Sequence, residues 1–196
     1  STADEIPLFS NSIPLAEKRI TSEVCVHHLH FSSEDYKIKG NLIKCNPSIK
    51  NQTHRNALWN ALLNDTFDVV ATDHAPHTWE EKAQPYINAP AGLPLVQHGL
   101  NIMLNYYHEG KISLEKIVEK MCHNPAICFR IGDRGFAEEG MFADLVVLDP
   151  NKKWIIDKSN IAYKCGWSPL EGMECKGEVS YTFVNGELVY KNGEEP

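Results

Sequence analysis

A short and almost wholly apolar run, FDVVAT at residues 67–72, ends abruptly on Asp73. Strands of this kind are typical of parallel sheets, because helices cover both faces of such sheets. A β-branched run predicts a second strand over residues 21–29, and helical spacing in NALWNALL at 56–63 predicts a helix between the two strands. Two parallel strands do not make a stable sheet by themselves. We therefore expect this chain to supply part of a larger parallel sheet or barrel.

The pattern of the chain changes near residue 140. Before that point, apolar residues recur at helical intervals over residues 95–109 and 114–122. Beyond it the chain has the texture of strands, and Asn185-Gly186 favours a tight hairpin. Three runs there are predicted to be strands, at 143–149, 153–157 and 179–193. We predict an α/β part over residues 1–139 and a small β-sandwich domain over residues 140–196.

Composition excludes several classes of partner. The formal net charge of -7 provides no basic field for nucleic acid or anionic lipid. No apolar stretch approaches the roughly 20 residues of a membrane-spanning helix, and the N-terminal residues do not resemble a signal peptide. The six cysteines include no CxxC pair, which favours reduced thiols. We therefore expect a cytoplasmic protein that binds neither nucleic acid nor membranes.

The residues that follow the apolar strand carry candidate chemistry. In a βα barrel, catalytic side chains lie where strands end and the following loops begin, and Asp73 has that position. A carboxylate there can bind a metal ion, relay a proton or cap the next helix. His74 and His77 lie close in sequence and suit metal binding or proton transfer, and Pro76 stiffens the loop between them. If Asp73 is considered without its neighbours, a structural alternative remains open, in which it caps a helix or forms an ion pair.

A second group of histidines, HHLH at residues 27–30, lies on the predicted first strand. On a strand, His28 and His30 would point to the same face, a spacing that could hold one zinc ion. The alternative is that these imidazoles pack near the strand end and bond to backbone groups.

Several segments, in this order, resemble the dihydroorotases of the amidohydrolase superfamily; they are ITSEVCVHHLHFSSEDY, KCNPSIK, TDHAPHTWEEK, APAGLP, GMFADLVVLDP and WSPLEGMECKGEVSYTFVNGELVY. The resemblance implies the C-terminal part of a (β/α)8 TIM-type barrel, about strands seven and eight with their helices, followed by a β-sandwich. It also implies a binuclear zinc site whose other ligands lie upstream of this chain. They are an HxH pair on strand one, a bridging lysine or aspartate, and two later histidines. His28 and His30 are therefore not assigned as that pair.

The resemblance also implies roles for individual residues. Asp73 matches an aspartate on strand eight that contacts one metal ion and carries a proton between hydroxide and the leaving nitrogen. His77 matches a histidine that contacts the substrate carboxylate, and Asn46 matches a position that holds the pyrimidine ring. Ala91 and Gly92 match a loop whose backbone meets the substrate. Structural alternatives are a simple turn at Gly92 and an Asn-Pro turn at Asn46.

This sequence departs from the family pattern at two places. Ala91 stands where proline, serine or phenylalanine is usual, and Lys50 stands where the family has arginine. A lysine cannot replace the bidentate fork of an arginine, so any contact of Lys50 with an anion would weaken. Both departures concern substrate contacts.

The function implied is that of a zinc-dependent dihydroorotase, which cyclises N-carbamoyl-L-aspartate reversibly to dihydroorotate in pyrimidine biosynthesis. The alternatives are an allantoinase or hydantoinase, and a non-catalytic dihydroorotase-like assembly subunit. His77 and the following EEK at 80–82 favour the dihydroorotase. We expect this chain to be a fragment that is inactive alone, and to form homo-oligomers or associate with the missing N-terminal half.

Overall fold

Two short parallel strands form the centre of the α/β part. The computed structural model describes residues 1–193. Strand β1 (Glu23–Cys25) pairs with strand β2 (Val69–Ala71) in parallel, with Val24 opposite Val70. The predicted parallel pair is confirmed, although both strands are shorter than the sequence indicates. Their carboxyl ends meet at one edge, which is where the candidate site lies.

The first strand does not reach residue 29, so that prediction was wrong. It ends at Cys25, and helix α1 (Val26–His30) follows at once. Val26 and Leu29 are both fully buried, and their separation of three residues suits one face of a helical turn. His28 and His30 therefore do not share the face of a strand.

A longer helix connects the two strands, as the sequence predicts. Helix α2 (Tyr36–Lys39) is a single turn, and helix α3 (Gln52–Leu63) packs Leu58 and Leu62 into the core. The N-cap of α3 is Asn51, whose side chain accepts hydrogen bonds from two backbone N–H groups of the first turn.

The helices after β2 differ from prediction at their ends. Helix α4 (Trp79–Lys82) comes first, and helix α5 (Gly99–His108) starts four residues later than the pattern from residue 95 suggests. Val96 lies outside α5 and is 61% exposed. Two helices follow α5, with a π-helical segment between them, at Leu114–Val118 (α6), Glu119–His123 (π) and Asn124–Cys128 (α7). No helix within residues 1–193 has the length and apolar character needed to cross a membrane.

The C-terminal part contains a three-stranded antiparallel sheet. Its strands, in spatial order, are β3 (Leu145–Ile155), β4 (Glu174–Val184) and β5 (Glu187–Lys191). The predicted strands at 143–149 and 153–157 are one strand, with an irregularity between Asp149 and Lys153. The predicted hairpin at Asn185-Gly186 is confirmed, and both residues adopt the positive φ that a tight turn of this type needs.

The α/β part and the C-terminal part share one hydrophobic core. The segment between β3 and β4 returns to the helices, so that Ile156, Leu170 and Cys175 lie in the same buried cluster as Leu29 and Met103. Residues 1–193 form only one of the two sheets that a β-sandwich requires. The division into domains at residue 140 stays a prediction.

Candidate active site

The loop after β2 runs alongside a second loop, residues 89–94. His74 forms a parallel β-bridge with Leu93, and the Ala75 N–H donates to the Leu93 carbonyl over 3.0 Å. Asp73 precedes the bridge with a φ of 46°, in the left-handed region that is uncommon for residues other than glycine. Its side chain is exposed. The strand thus ends with the Asp73 carboxylate accessible at the edge where β1 also ends.

His74 is a structural residue of this loop. Its Nδ1 accepts hydrogen bonds from the backbone N–H groups of Leu95 (3.0 Å) and Val96 (3.2 Å). Nδ1 must therefore be unprotonated, and burial lowers the pKa of the imidazole in the same sense. These bonds satisfy the N–H groups of two residues that lie before α5. From the sequence, His74 was expected to suit metal binding or proton transfer, whereas its contacts hold the two loops together.

His77 lies against the loop that contains Ala91 and Gly92, the other predicted substrate contacts. Its Nε2 is 3.2 Å from the Ala91 carbonyl, which can only accept, so Nε2 carries the proton. Its Nδ1 is 3.6 Å from a carboxylate oxygen of Glu81. The His77 backbone carbonyl accepts a hydrogen bond of 2.8 Å from Trp167 Nε1. Both the ring and the backbone of His77 are therefore fixed.

Gly92 is required by a close approach between the two loops. Its φ is 142°, and a Cβ at this position would lie 2.6 Å from the Ala75 carbonyl oxygen and 3.1 Å from His77 Cδ2. Any larger residue would force the loops apart. From the sequence, Gly92 was expected to allow a close approach to substrate, or to form a simple turn. The structure gives a different reason, a close approach to the neighbouring loop.

A buried lysine joins the segments that carry the predicted substrate contacts. Lys82 is 1% exposed, and its Nζ donates to the carbonyls of Lys44 (3.1 Å), Pro90 (3.0 Å) and Gly92 (2.9 Å). These bonds use all three protons of the ammonium group. Burial lowers the pKa of Lys82 to about 8. Lys82 therefore holds the start of the Asn46 loop and the Gly92 loop in one arrangement.

Asn46 is exposed beside these loops. The Gly92 N–H donates to the Lys44 carbonyl over 2.9 Å, which brings the segment of Asn46 next to the Ala91-Gly92 loop. The structure thus brings Asn46, His77, Ala91 and Gly92 to one region. It leaves the carboxamide of Asn46 accessible, as contact with a ligand would require.

Asp73 faces the end of β1 as well. Burial first, and the Asp73 carboxylate second, raise the pKa of Cys25 to about 12, and the same two causes raise the pKa of Cys45 to about 11. An exposed carboxylate at the ends of two parallel strands has the oxygen donors and the access that a zinc ligand needs. Asp73 fits the predicted role of a single ligand in a site completed by other residues.

Two residues that support the site were missed by the sequence analysis. Trp167 fixes His77, and the Tyr163 hydroxyl accepts a hydrogen bond of 3.0 Å from the Gln97 N–H while its ring lies 5.3 Å from that of His74. Both come from the segment between β3 and β4, which has no periodicity that points to the site. The only signal was the likeness of WSPLEG, at residues 167–172, to the C-terminal tail of the dihydroorotases.

Known proteins of two kinds are similar to this chain. The dihydroorotase of Pyrococcus abyssi is 37% identical over 175 residues, which is 89% of this chain and 41% of the relative. The dihydroorotase of Clostridioides difficile is 34% identical over 172 residues, 87% of this chain and 40% of the relative. Among solved structures, the L-hydantoinase (dihydropyrimidinase) of Arthrobacter aurescens superposes with a TM-score of 0.90 at 28% identity, covering 100% of this chain and 44% of that one.

The chain thus spans about two fifths of the length of the dihydroorotases it matches. The profile of the amidohydrolase family matches residues 9–189, which includes both parallel strands and most of the C-terminal sheet. The fold of this chain is the hydantoinase-like fold of that family, part of the TIM-barrel superfamily. On this match and these likenesses, the chain belongs to the amidohydrolase family.

Proposed function

We propose that this chain is the part of a zinc-dependent dihydroorotase that supplies Asp73 and most of the substrate contacts. The enzyme would catalyse the reversible cyclisation of N-carbamoyl-L-aspartate to dihydroorotate in pyrimidine biosynthesis. The observation that carries the proposal is the joint placement of Asp73, His77 and the Ala91-Gly92 loop at the carboxyl end of β2. The similarity to curated dihydroorotases supports the choice of substrate.

Each residue has a distinct task in the proposed reaction. Zinc, when bound, supplies Lewis-acid activation of water and of the scissile carbonyl. The Asp73 carboxylate takes a proton from the attacking water and delivers it to the departing ring nitrogen. His77 would bind the substrate carboxylate by exchanging its Nε2–H bond to the Ala91 carbonyl for one to the substrate. The Asn46 carboxamide both donates to and accepts from the ring imide. The Ala91-Gly92 backbone would contact the same substrate.

The proposal extends to the architecture. We assign β1 and β2 to strands seven and eight of a (β/α)8 barrel, residues 1–139 to the barrel and residues 140–196 to the β-sandwich. Asp73 is the zinc ligand that this chain contributes, and the remaining ligands come from the preceding strands, so the chain alone is inactive. Association with that N-terminal half, or with further copies, completes the barrel. Six free cysteines support a cytoplasmic location.

One observation favours a second candidate function. The hydantoinase of Arthrobacter aurescens superposes on the whole chain with a TM-score of 0.90. A hydantoinase opens a cyclic amide too, so the task of Asp73 would not change. The difference would lie in what His77 and Asn46 bind. A non-catalytic assembly subunit is the remaining alternative.

The test is made on the complete enzyme, in which this chain follows the preceding barrel strands. We expect zinc-dependent hydrolysis of dihydroorotate, with little turnover of hydantoin or allantoin. Asp73→Asn should lower kcat by about 10²–10⁴-fold, the range of a lost general base. The matched control is Asp144→Asn, just before β3, where the carboxylate pairs with Arg134 and not with any site residue; it should leave kcat unchanged. Preference for hydantoin would support the second candidate, and a zinc-loaded enzyme inactive on all three substrates would support the assembly subunit.

A further inference from the structure

A cluster of potential metal ligands lies where β1 ends. Cys25, His27 and His28 each bring one ligand atom within 4.8 Å of the other two. Cys25 is the last residue of β1, and both histidines lie in the first turn of α1. The His27 and His28 rings are adjacent, with centroids 4.3 Å apart. The change from strand to helix therefore turns a thiol and two imidazoles toward one point.

His27 has no hydrogen-bond partner although it is fully buried. Both of its ring nitrogens are unpaired, and among buried side-chain nitrogens and oxygens in residues 1–193 only His27 and His98 leave an atom unpaired. His98 still bonds through Nδ1 to the Tyr163 hydroxyl at 3.2 Å. Burial, and then the neighbouring His28, lower the pKa of His27 to about 3; the Thr72 carbonyl opposes this shift but lacks hydrogen-bond geometry. A buried polar group in this state destabilises the fold, and a ligand would offset that cost.

His28 is already oriented as a metal ligand would be. Its Nε2 is 2.9 Å from the Pro47 carbonyl, and since a carbonyl only accepts, Nε2 carries the proton. The lone pair of neutral His28 is then on Nδ1. Histidines that bind metals usually donate their other ring N–H to a carbonyl or carboxylate in this way, which fixes the tautomer.

The dimensions suit a small, thiophilic cation. Zinc holds sulfur at about 2.3 Å and nitrogen at about 2.0–2.1 Å, so tetrahedral ligand atoms lie roughly 3.3–3.7 Å apart. Side-chain rotations that move the ligand atoms by about an ångström would bring them to these separations. We propose that Cys25, His27 and His28 form a mononuclear site for a divalent cation of the zinc class, with the fourth position open to water. Binding displaces the thiol proton of Cys25 to solvent.

The test is a titration of the metal-depleted complete protein with Co²⁺ alone. A thiolate bound to Co²⁺ gives a charge-transfer band in the near ultraviolet, and oxygen or imidazole ligands do not, so the band reports Cys25 even when other metal sites fill. We expect the band to saturate with one Co²⁺ at this site and to disappear when Zn²⁺ is added. Cys25→Ser should abolish it, and His27→Gln should weaken Co²⁺ binding by more than the 10–100-fold that loss of an outer partner costs.

Matched controls exist close to the cluster. Cys45 is buried and bonds to the same Pro47 carbonyl, and His30 in α1 bonds through Nδ1 to the Tyr106 hydroxyl. Cys45→Ser and His30→Gln should both keep the band. Circular dichroism checks that each variant folds. No band in the parent protein, a band that survives Cys25→Ser, or unchanged affinity in His27→Gln would each overturn the proposal. Dihydroorotate turnover is measured separately and decides only the proposed function.

Discussion

The segments that follow the two parallel strands differ in how their polar groups are satisfied. After β2, His74 accepts two backbone N–H groups and His77 bonds to the opposite loop. After β1, His27 is fully buried and neither ring nitrogen has a partner. The β2 loop is therefore organised by this chain itself, whereas the end of β1 retains unused binding capacity. The difference indicates that preorganisation is concentrated around the predicted substrate contacts, and that something outside these residues completes the other end.

Gly92→Ala should produce the largest effect, because it breaks the contact between the two loops that flank the β2 site. Alanine at a φ of 142° is strained, and its Cβ would lie 2.6 Å from the Ala75 carbonyl oxygen. Strain and overpacking together should lower the free energy of unfolding by roughly 2–5 kcal/mol, measured by urea denaturation. Gly166→Ala is the control, since Gly166 also has positive φ but a Cβ there would meet no atom within 4 Å. Equal losses in the two variants would contradict the close-approach argument.

Lys82→Met should have the next largest effect. It removes the donor to three carbonyls, and the Pro90 and Gly92 carbonyls would be left without that bond in a buried setting. We expect a loss of about 2–3 kcal/mol in the free energy of unfolding. Lys44→Met is the control. Lys44 also donates to backbone carbonyls, those of Tyr86 and Ala89, but it is only half-buried, so water can replace it. A loss in Lys82→Met no greater than in the control would mean that Lys82 does not hold the loops together.

The same lysine should give the stability a pH signature. Burial lowers the pKa of Lys82 from 10.5 to about 8 in the folded protein. Between those values the unfolded chain holds a proton that the folded chain has released, so the contribution of Lys82 to stability rises with pH across this window. The stability advantage of the parent protein over Lys82→Met should therefore be larger at pH 10 than at pH 7. The cysteines whose pKa values are raised are present in both proteins, so their contributions to the pH dependence cancel in the difference. A constant difference would place the Lys82 pKa at its ordinary value.

His27→Leu should have the smallest effect, and it has the opposite sign. Replacing a buried imidazole without partners by an apolar side chain should leave the metal-free protein unchanged or raise its free energy of unfolding by about 1 kcal/mol. His28→Leu is the control and should destabilise, because it removes the bond to the Pro47 carbonyl. Urea denaturation in the presence of a chelator makes both measurements. A destabilised His27→Leu would remove the contrast between the segments that follow β1 and β2.

Local sequence signals located most of the elements correctly. The apolar run before Asp73, the helix around Leu58 and the hairpin at Asn185-Gly186 are all present. Each depends on interactions between residues close in sequence, such as side-chain periodicity or the positive φ of a turn. The placement of His77 and Ala91 at one site was also expected, but from a family resemblance and not from local pattern.

The errors occur where distant parts of the chain decide the backbone. The strand from residue 21 stops at Cys25 because the next residues turn so that Val26 and Leu29 reach the core. Leu95 and Val96, predicted to begin α5, are held outside it by hydrogen bonds to His74, over 20 residues earlier. Neither cause can be read from the segment it affects.

The sequence by itself determined the parallel strand pair with its connecting helix, the hairpin, and the position of Asp73 at a strand end, because these follow from propensity and periodicity. Only the tertiary structure decided why Gly92 must be glycine, that Lys82 joins two loops through three carbonyls, and that Cys25, His27 and His28 meet. Those features depend on distances between segments far apart in the chain. Packing sets such distances, because burial leaves each polar group only the partners that the fold brings within reach.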